Sequence, residues 1–406
     1  MRQVNGRNRA SPLARYAAVY RTGPRAGFTA RYPASGHLLT RRLNGDLVTD
    51  VWDDLLRVAA SVKARCRVHQ DWRMSEGGAA GHARRMTQAE RDERSRQRRA
   101  QVLALPMTPL RLHGYLEGPG HHPRGPVAVG VGPGDIAVAA WPPPAGEQGV
   151  VVTTHNGDGP YSKERYKSRT LPRVAVLEVP SSLAVTHVQP LPGNRVLIAS
   201  ARTRGTDNAE VWDSDGHLEH AGLIGDAIEH LLTTPSGAIW AGYFDEGIFG
   251  TTSAAHGLIR FTPGLATDWA YPQREMPTID DCYALNVGGE TASIGAYSAF
   301  RLVTVDGDHA RDHGPLPVRG ASKLLIAGER AALIGGYGPE YDLITPLQIT
   351  PAGVIPGGPK RRLVQADGLE IPRASRAFCR GPNLHLFPRD SATWYRVDLN
   401  DISPEG

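Results

Sequence analysis

A unit of short strand, glycine-marked turn and second strand recurs six times between residues 127 and 387. A repeat constrains a chain more than any single residue does, because each copy must bury its apolar face against the next. The clearest copy runs Glu229-His230-Leu231-Leu232-Thr233-Thr234-Pro235-Ser236-Gly237-Ala238-Ile239-Trp240-Ala241-Gly242, an apolar strand, a Ser-Gly turn and an aromatic strand. Equivalent pairs are 127–131 with 136–141, 187–190 with 195–200, 282–287 with 291–296, 323–327 with 331–335, and 377–379 with 383–387. Their turns are Gly134-Asp135, Gly193-Asn194, Gly288-Gly289, Gly328-Glu329 and Gly381-Pro382. Gly, Asn and Asp tolerate the positive φ that tight hairpins demand.

Marked at Gly134, Gly193, Gly237, Gly289, Gly328 and Gly381, the copies are 59, 44, 52, 39 and 53 residues apart. Such spacing accommodates four strands and their loops, the size of one propeller blade. Second hairpins follow several of the first, as at Asp215-Gly216 between Val211-Trp212 and Leu218. The expected fold is therefore all-β, a six-bladed β-propeller with seven blades as the variant and a β-sandwich or two smaller β domains as the competing architectures. The last copy ends at 393–399 without a fourth strand, whereas 110–116 precedes the first copy without a blade of its own. Pairing these two segments would close the ring and remove its exposed edges.

Charge separates the chain into two regions. Residues 1–100 hold 20 Arg and one Lys against nine acidic residues, whereas 25 basic and 32 acidic residues remain in 101–406. The basic balance thus belongs to an N-terminal extension, 1–106, and the propeller region 107–406 is mildly acidic. Nucleic-acid binding is not expected unless the basic extension is translated and supplies it. Residues 1–45 are aperiodic and read as disordered. Apolar residues at helical spacing predict a helix over 47–68, and the capping box Thr87-Gln88-Ala89-Glu90 predicts a charged helix over 87–105. Met74, Met86 and Met107 are alternative start positions. Three dispersed cysteines, Cys66, Cys282 and Cys379, argue against a disulfide framework or zinc site. No apolar run is long enough for a membrane span, so the expectation is a soluble, cytoplasmic chain.

The run Thr234-Pro235-Ser236-Gly237-Ala238-Ile239-Trp240-Ala241-Gly242, followed by Glu246-Gly247-Ile248, resembles bacterial propeller repeats of the two-component-regulator and streptogramin-lyase type. Those repeats centre on a D-x-x-G-x-I/L-W motif, from which this chain departs at Ser236. The resemblance implies the propeller architecture over about 108–400. Propellers of this kind include lyases, lactonases and sensors, so function does not follow from it.

Ligands of a propeller usually sit where the innermost strands begin. The candidates there are His187, Asp226, Glu229, His230, Asp280, Asp281, Arg319 and Arg376. Converging carboxylates and imidazoles can hold a divalent cation or act as general bases, and Asp at a strand entry can equally cap backbone amides. Tyr243-Phe244-Asp245-Glu246 forms a second candidate, a stacking surface or a pair of packing rings. His121-His122 and the basic loop around Ser162-Lys163 lack the spacing of a catalytic motif, and the loop from His155 to Gly159 lacks the distal Glu of an EF-hand. No nucleophile elbow or phosphate loop occurs. The expected function is a non-catalytic scaffold binding a protein or small-molecule ligand at one propeller face. No cofactor is expected, although a divalent cation is allowed. The alternative is a lyase- or lactonase-like enzyme with a polar channel mouth.

Overall fold

In the computed structural model the described residues are 18–22, 27–31, 38–42, 87–119, 125–157, 176–389 and 391–402. The chain divides into two units, Met1–Arg85 and Met86–Gly406. In the first, strands β1 (Ala18–Thr22), β2 (Gly27–Arg31) and β3 (Leu38–Arg42) form an antiparallel meander. The expected helix over 47–68, Cys66, His121-His122 and residues 162–169 lie outside the described residues.

The second unit opens with helix α1 (Gln88–Leu103), followed by β4 (Met107–Pro109) and β5 (Arg111–Tyr115). Thr87 and Glu90 make both reciprocal hydrogen bonds of the capping box. Almost no apolar residue occupies the middle of α1, and ion pairs anchor it instead. Arg99 reaches the fully buried Asp342 with Nη1 at 2.6 Å and also pairs with Glu370, while Arg98 pairs with Glu340.

Six blades follow. Blade 1 comprises β6 (Ala128–Val131), β7 (Ala137–Trp141), β8 (Val150–His155) and β9 (Val176–Val179). Blade 2 comprises β10 (His187–Leu191), β11 (Arg195–Ala199), β12 (Ala209–Trp212) and β13 (Leu218–Gly222). Blade 3 holds β14 (Ile228–Thr233), β15 (Ile239–Tyr243), β16 (Leu258–Phe261) and β17 (Thr267–Ala270), with the short helix α2 (Asp245–Ile248) between its second and third strands. Blade 4 holds β18 (Ile279–Gly288), β19 (Thr291–Ser298), β20 (Arg301–Asp306) and β21 (His309–Pro315). Blade 5 holds β22 (Ala321–Ala327), β23 (Arg330–Gly335) and β24 (Leu343–Thr350), with β25 (Gly353–Pro356) and β26 (Arg361–Val364) both on the edge of β24. Blade 6 holds β27 (Ser375–Arg380), β28 (Asn383–Pro388) and β29 (Thr393–Asp398), after which helix α3 (Leu399–Ile402) follows.

The expected closure is realised. β5 pairs antiparallel with β29, Thr393 opposite Tyr115 and Arg396 opposite Arg111, and so becomes the fourth strand of blade 6. A second closure, not foreseen, pairs β4 in parallel with β26 at the rim of blade 5. The innermost strands neighbour one another in the order β6, β10, β14, β18, β22, β27 and back to β6. All six turns fall at the glycine marks. Gly193 and Asn194, at φ 78° and 59°, lie in the three-residue turn Pro192-Gly193-Asn194, where residues tolerant of positive φ are required.

Large side chains fill the blade interfaces. Trp240, Tyr243, Phe261, Tyr271, Phe387 and Trp394 are fully buried. Trp240 meets the edge of Trp269 at 5.7 Å and the guanidinium of Arg260 at 5.5 Å, so its role is packing. In blade 6 the indole of Trp394 donates to His385 Nδ1 at 3.0 Å. An indole can only donate, so the imidazole proton lies on Nε2, which donates to Asp135 at 3.0 Å. Cys282 and Cys379 are buried free thiols.

Asn286 at the axis donates to Leu324 O and Gly381 O and accepts from Gly381 N, at 2.7 to 2.9 Å. There β18 and β27 meet in parallel at Asn286 and Cys379, joining blades 4 and 6. Replacing Arg99 by Met strands the Asp342 carboxylate without its principal partner. We expect a loss of about 3–5 kcal/mol in urea unfolding, with most of it recovered in the Arg99→Met, Asp342→Leu double variant.

Candidate functional site

The hydrogen bonds of Asn286 divide the axis into an entry end, where the inner strands begin, and a turn end, where they reach the glycine marks. Antiparallel pairing brings to the entry end the starts of β14, β18, β22 and β27 together with the ends of β19 and β23.

Of the residues singled out in the sequence, His187 interacts with His230 and Arg376, and Glu229 with His230 and Asp281. His187 is the first residue of β10, and its Nδ1 lies 3.0 Å from Thr186 Oγ1. Burial pushes its imidazole down to about 4, partly opposed by a hydrogen bond with the Glu229 backbone. His230 bridges blades 3 and 4, with Nε2 3.3 Å from Tyr283 O, and burial lowers it likewise. Both rings are therefore neutral at pH 7. Asp281 behaves in the opposite way. Burial, then the neighbouring carboxylates of Asp245 and Glu229, push it up to about 7. Helix α2 packs against β18 and so carries Asp245 to this position.

The remaining candidates have local partners. Asp226 pairs with Arg202 at 3.2 Å and accepts from Thr203 N at 2.8 Å. Asp280 accepts from Ser298 Oγ at 2.5 Å. Arg319 lies over the Phe300 ring at 5.4 Å. Arg376 donates to the carbonyls of Pro126 and Val127 at 3.2 and 2.9 Å, fastening blade 6 to blade 1. In the second candidate, Tyr243 is buried with its hydroxyl on Ile224 O, whereas Glu246 pairs with Arg202, which also covers Phe244. That arrangement is a packing and ion-pair cluster.

Two features escaped the sequence reading. Lys323 stands five residues before Gly328, the same offset at which Arg376 precedes Gly381, and that shared offset was the available signal. Its ammonium contacts Ser322 Oγ at 2.9 Å, and burial lowers its pKa. The second is an aromatic group assembled from two strands and two loops. Tyr283 stacks on Tyr297 at 5.4 Å between centroids and meets Phe300 and Tyr337 edge-on at 6.4 and 6.3 Å. None of the four is fully buried, and Tyr337 is 49% exposed. Gly320, at φ 77°, lets the Tyr337 ring lie against the backbone where any Cβ would collide.

Among the described residues, one group brings three potential metal donors within 4.8 Å: Asp213, Asp215 and His217, on the outer hairpin of blade 2. Asp213 Oδ1 already accepts from Asp215 N and His217 N, the bonding of a tight turn. No helix among the described residues is long and apolar enough to cross a membrane.

No protein-family model matches the chain, and no curated protein matches it in sequence. Among solved structures, a gluconolactonase from Xanthomonas campestris is 12% identical, covering 71% of this chain and 94% of its own, with a TM-score of 0.37. AztD from Citrobacter koseri is 13% identical, covering 64% and 79%, at 0.35. YCF48 bound to a D1 peptide is 12% identical, covering 70% and 80%, at 0.39. The propeller architecture rests on the strand pairing of this chain itself.

Burial sets two opposite pH responses. His113, His155 and His187 are held at about 4, below the 6.5 of a free imidazole. The unfolded chain therefore binds their protons first, and their contribution to stability, complete above pH 6.5, is lost as pH falls towards 4. Urea unfolding at stepped pH should show this fall, and His187→Gln should flatten it by about one proton. Asp281 is raised from 3.8 to about 7, so its contribution is lost as pH rises through that interval. The stability advantage of Asp281→Asn should widen from pH 4 to 7 and then stay constant.

Proposed function

We propose that the protein is a non-catalytic binding propeller whose entry end receives an organic cation, such as the lysine or arginine side chain of a partner protein or a small amine. The observation that carries this reading is the Asp281 carboxyl. It is half-buried beside two like charges and has no ion pair among the described residues. It also lies next to the incompletely buried rings of Tyr283 and Tyr297. A cation entering there would relieve carboxylate repulsion and lie against π-faces, two attractions that strengthen as water is excluded. The neutral His187 and His230 add no opposing charge, and the cations at this end, Arg376 and Lys323, are held on the Pro126 and Val127 carbonyls and on Ser322 Oγ. Protein and small-molecule ligands share this chemistry.

The alternative is an enzyme of the lyase or lactonase kind, favoured by the same carboxyl because a group titrating near 7 suits a general base. Against it stands the local engagement of Asp226, Asp280 and Arg376, which leaves Asp281 with few groups to act in concert with.

Calorimetry with agmatine and N-acetyl-lysine amide separates the two. We expect saturable binding that tightens from pH 6 to 8 as Asp281 ionises. Asp281→Asn and Tyr283→Ala should weaken it at least tenfold, and Tyr283→Phe should retain it. Turnover of a lactone panel that disappears in Asp281→Asn, without amine binding, would replace this reading with the enzymatic one.

A further inference from the structure

The opposite end of the axis contains a site of different chemistry. A pocket of about 150 Å³ opens between the innermost turns of blades 1, 3, 4 and 6, and Arg380 forms part of its wall. Arg380 is 6% exposed. Its Nε donates to Val131 O at 2.9 Å and its Nη1 reaches Val287 O at 3.5 Å, whereas its Nη2 is buried with no hydrogen-bond partner. No carboxylate among the described residues forms an ion pair with it. Asp135 also lines the pocket, but its carboxylate already accepts from His385 and Asn383, with Arg396 at 3.7 Å. Burial pushes the Arg380 guanidinium down to about 9, with Asp135 acting against the fall, so it remains protonated at pH 7.

Buried donors are almost always satisfied, and buried charges almost always compensated. Here a charged group with one free donor adjoins a pocket rimmed by glycines. At Gly134 and Gly289, both at positive φ, no atom stands within 4 Å of where a Cβ would be. The rim is therefore open at these two glycines, between the side chains of Pro133, Asp135, Pro235 and Val287.

We propose that this pocket is a binding site for a small monovalent anion, of halide or carboxylate class, with Arg380 as its charge partner. The anion would sit against the side of the Arg380 guanidinium that lines the pocket, in a charge-assisted contact, and add to the polar network that Asn286 and Arg380 build between blades 1, 4, 5 and 6. Binding at the turn end is independent of cation binding at the entry end.

The test uses the full chain at constant ionic strength, following thermal unfolding against bromide, acetate and the bulky morpholinoethanesulfonate. Bromide or acetate should raise the midpoint saturably, and the sulfonate should not. Response to bromide alone identifies an inorganic ligand, response to acetate alone a carboxylate, and either supports the site. Crystals soaked in bromide should show its anomalous signal in this pocket, beside the Arg380 guanidinium. Arg380→Gln should abolish the response. Because that variant also removes structural bonds, a second pair carries the test if it does not fold. Gly289→Asp brings a negative charge to the rim and should weaken apparent affinity at least tenfold, whereas Gly289→Asn, equally tolerant of positive φ, should stay within twofold. Equal responses to all three anions, or an unchanged response in Gly289→Asp, would overturn the proposal.

Discussion

Pairing of β5 with β29 is the interaction on which the rest of the molecule depends. A ring of sheets that is not closed leaves its first and last blades free to separate, and every open N–H and C=O along an unpaired strand must find water or another chain. Here the segment preceding blade 1 supplies the outer strand of blade 6, and β4, just before it, pairs with β26 of blade 5. Two successive strands thus fasten the start of the unit to its last two blades. Once the ring is closed, blade-to-blade packing around Trp240, Phe261 and Trp394 follows, and the innermost strands acquire fixed neighbours.

Closure also creates the chemistry of the axis. Six strands converging on one line leave little room, and the polar groups they bring must satisfy one another. Asn286 does this for backbone groups of blades 5 and 6. Above it, enclosure removes water from imidazoles and carboxyls alike, leaving His187 and His230 neutral and raising Asp281. Below it, Arg380 remains charged with one donor unused. The two ends therefore differ in chemistry: at one, a raised carboxyl and neutral imidazoles beside aromatic rings; at the other, a buried guanidinium with Asp135 at a pocket between turns.

Much of the scaffold was legible because hairpin turns are local. Gly193-Asn194 or Gly328-Glu329 needs only its own backbone to favour a tight reversal, and short apolar runs on either side announce the pair. Segments 110–116 and 393–399 could be matched as well, each being a strand without a partner. Less legible was the parallel pairing of β4 with β26, since Met107-Thr108-Pro109 is too short to carry a pattern. The docking of α1 was also hidden. It depends on Arg99 meeting a buried Asp342 more than two hundred residues away, and an arginine in a charged helix looks the same whether it is solvated or paired.

The site divides along the same line. Sequence alone determined the repeat, the six hairpin turns and the inner strands to within about three residues of their starts, because these follow from short-range turn and strand preferences. Only the tertiary structure decided which of those residues keep their charge free. Asp226 and Asp281 are alike in sequence, yet one meets Arg202 and the other meets two more carboxylates. Tyr283, Tyr297, Phe300 and Tyr337 become one surface, and Arg380 becomes a buried cation beside a pocket, only once the blades are set around a common axis. The physical reason is that electrostatic and stacking energies depend on distances of a few ångströms between distant chain segments, which spacing along the sequence does not encode.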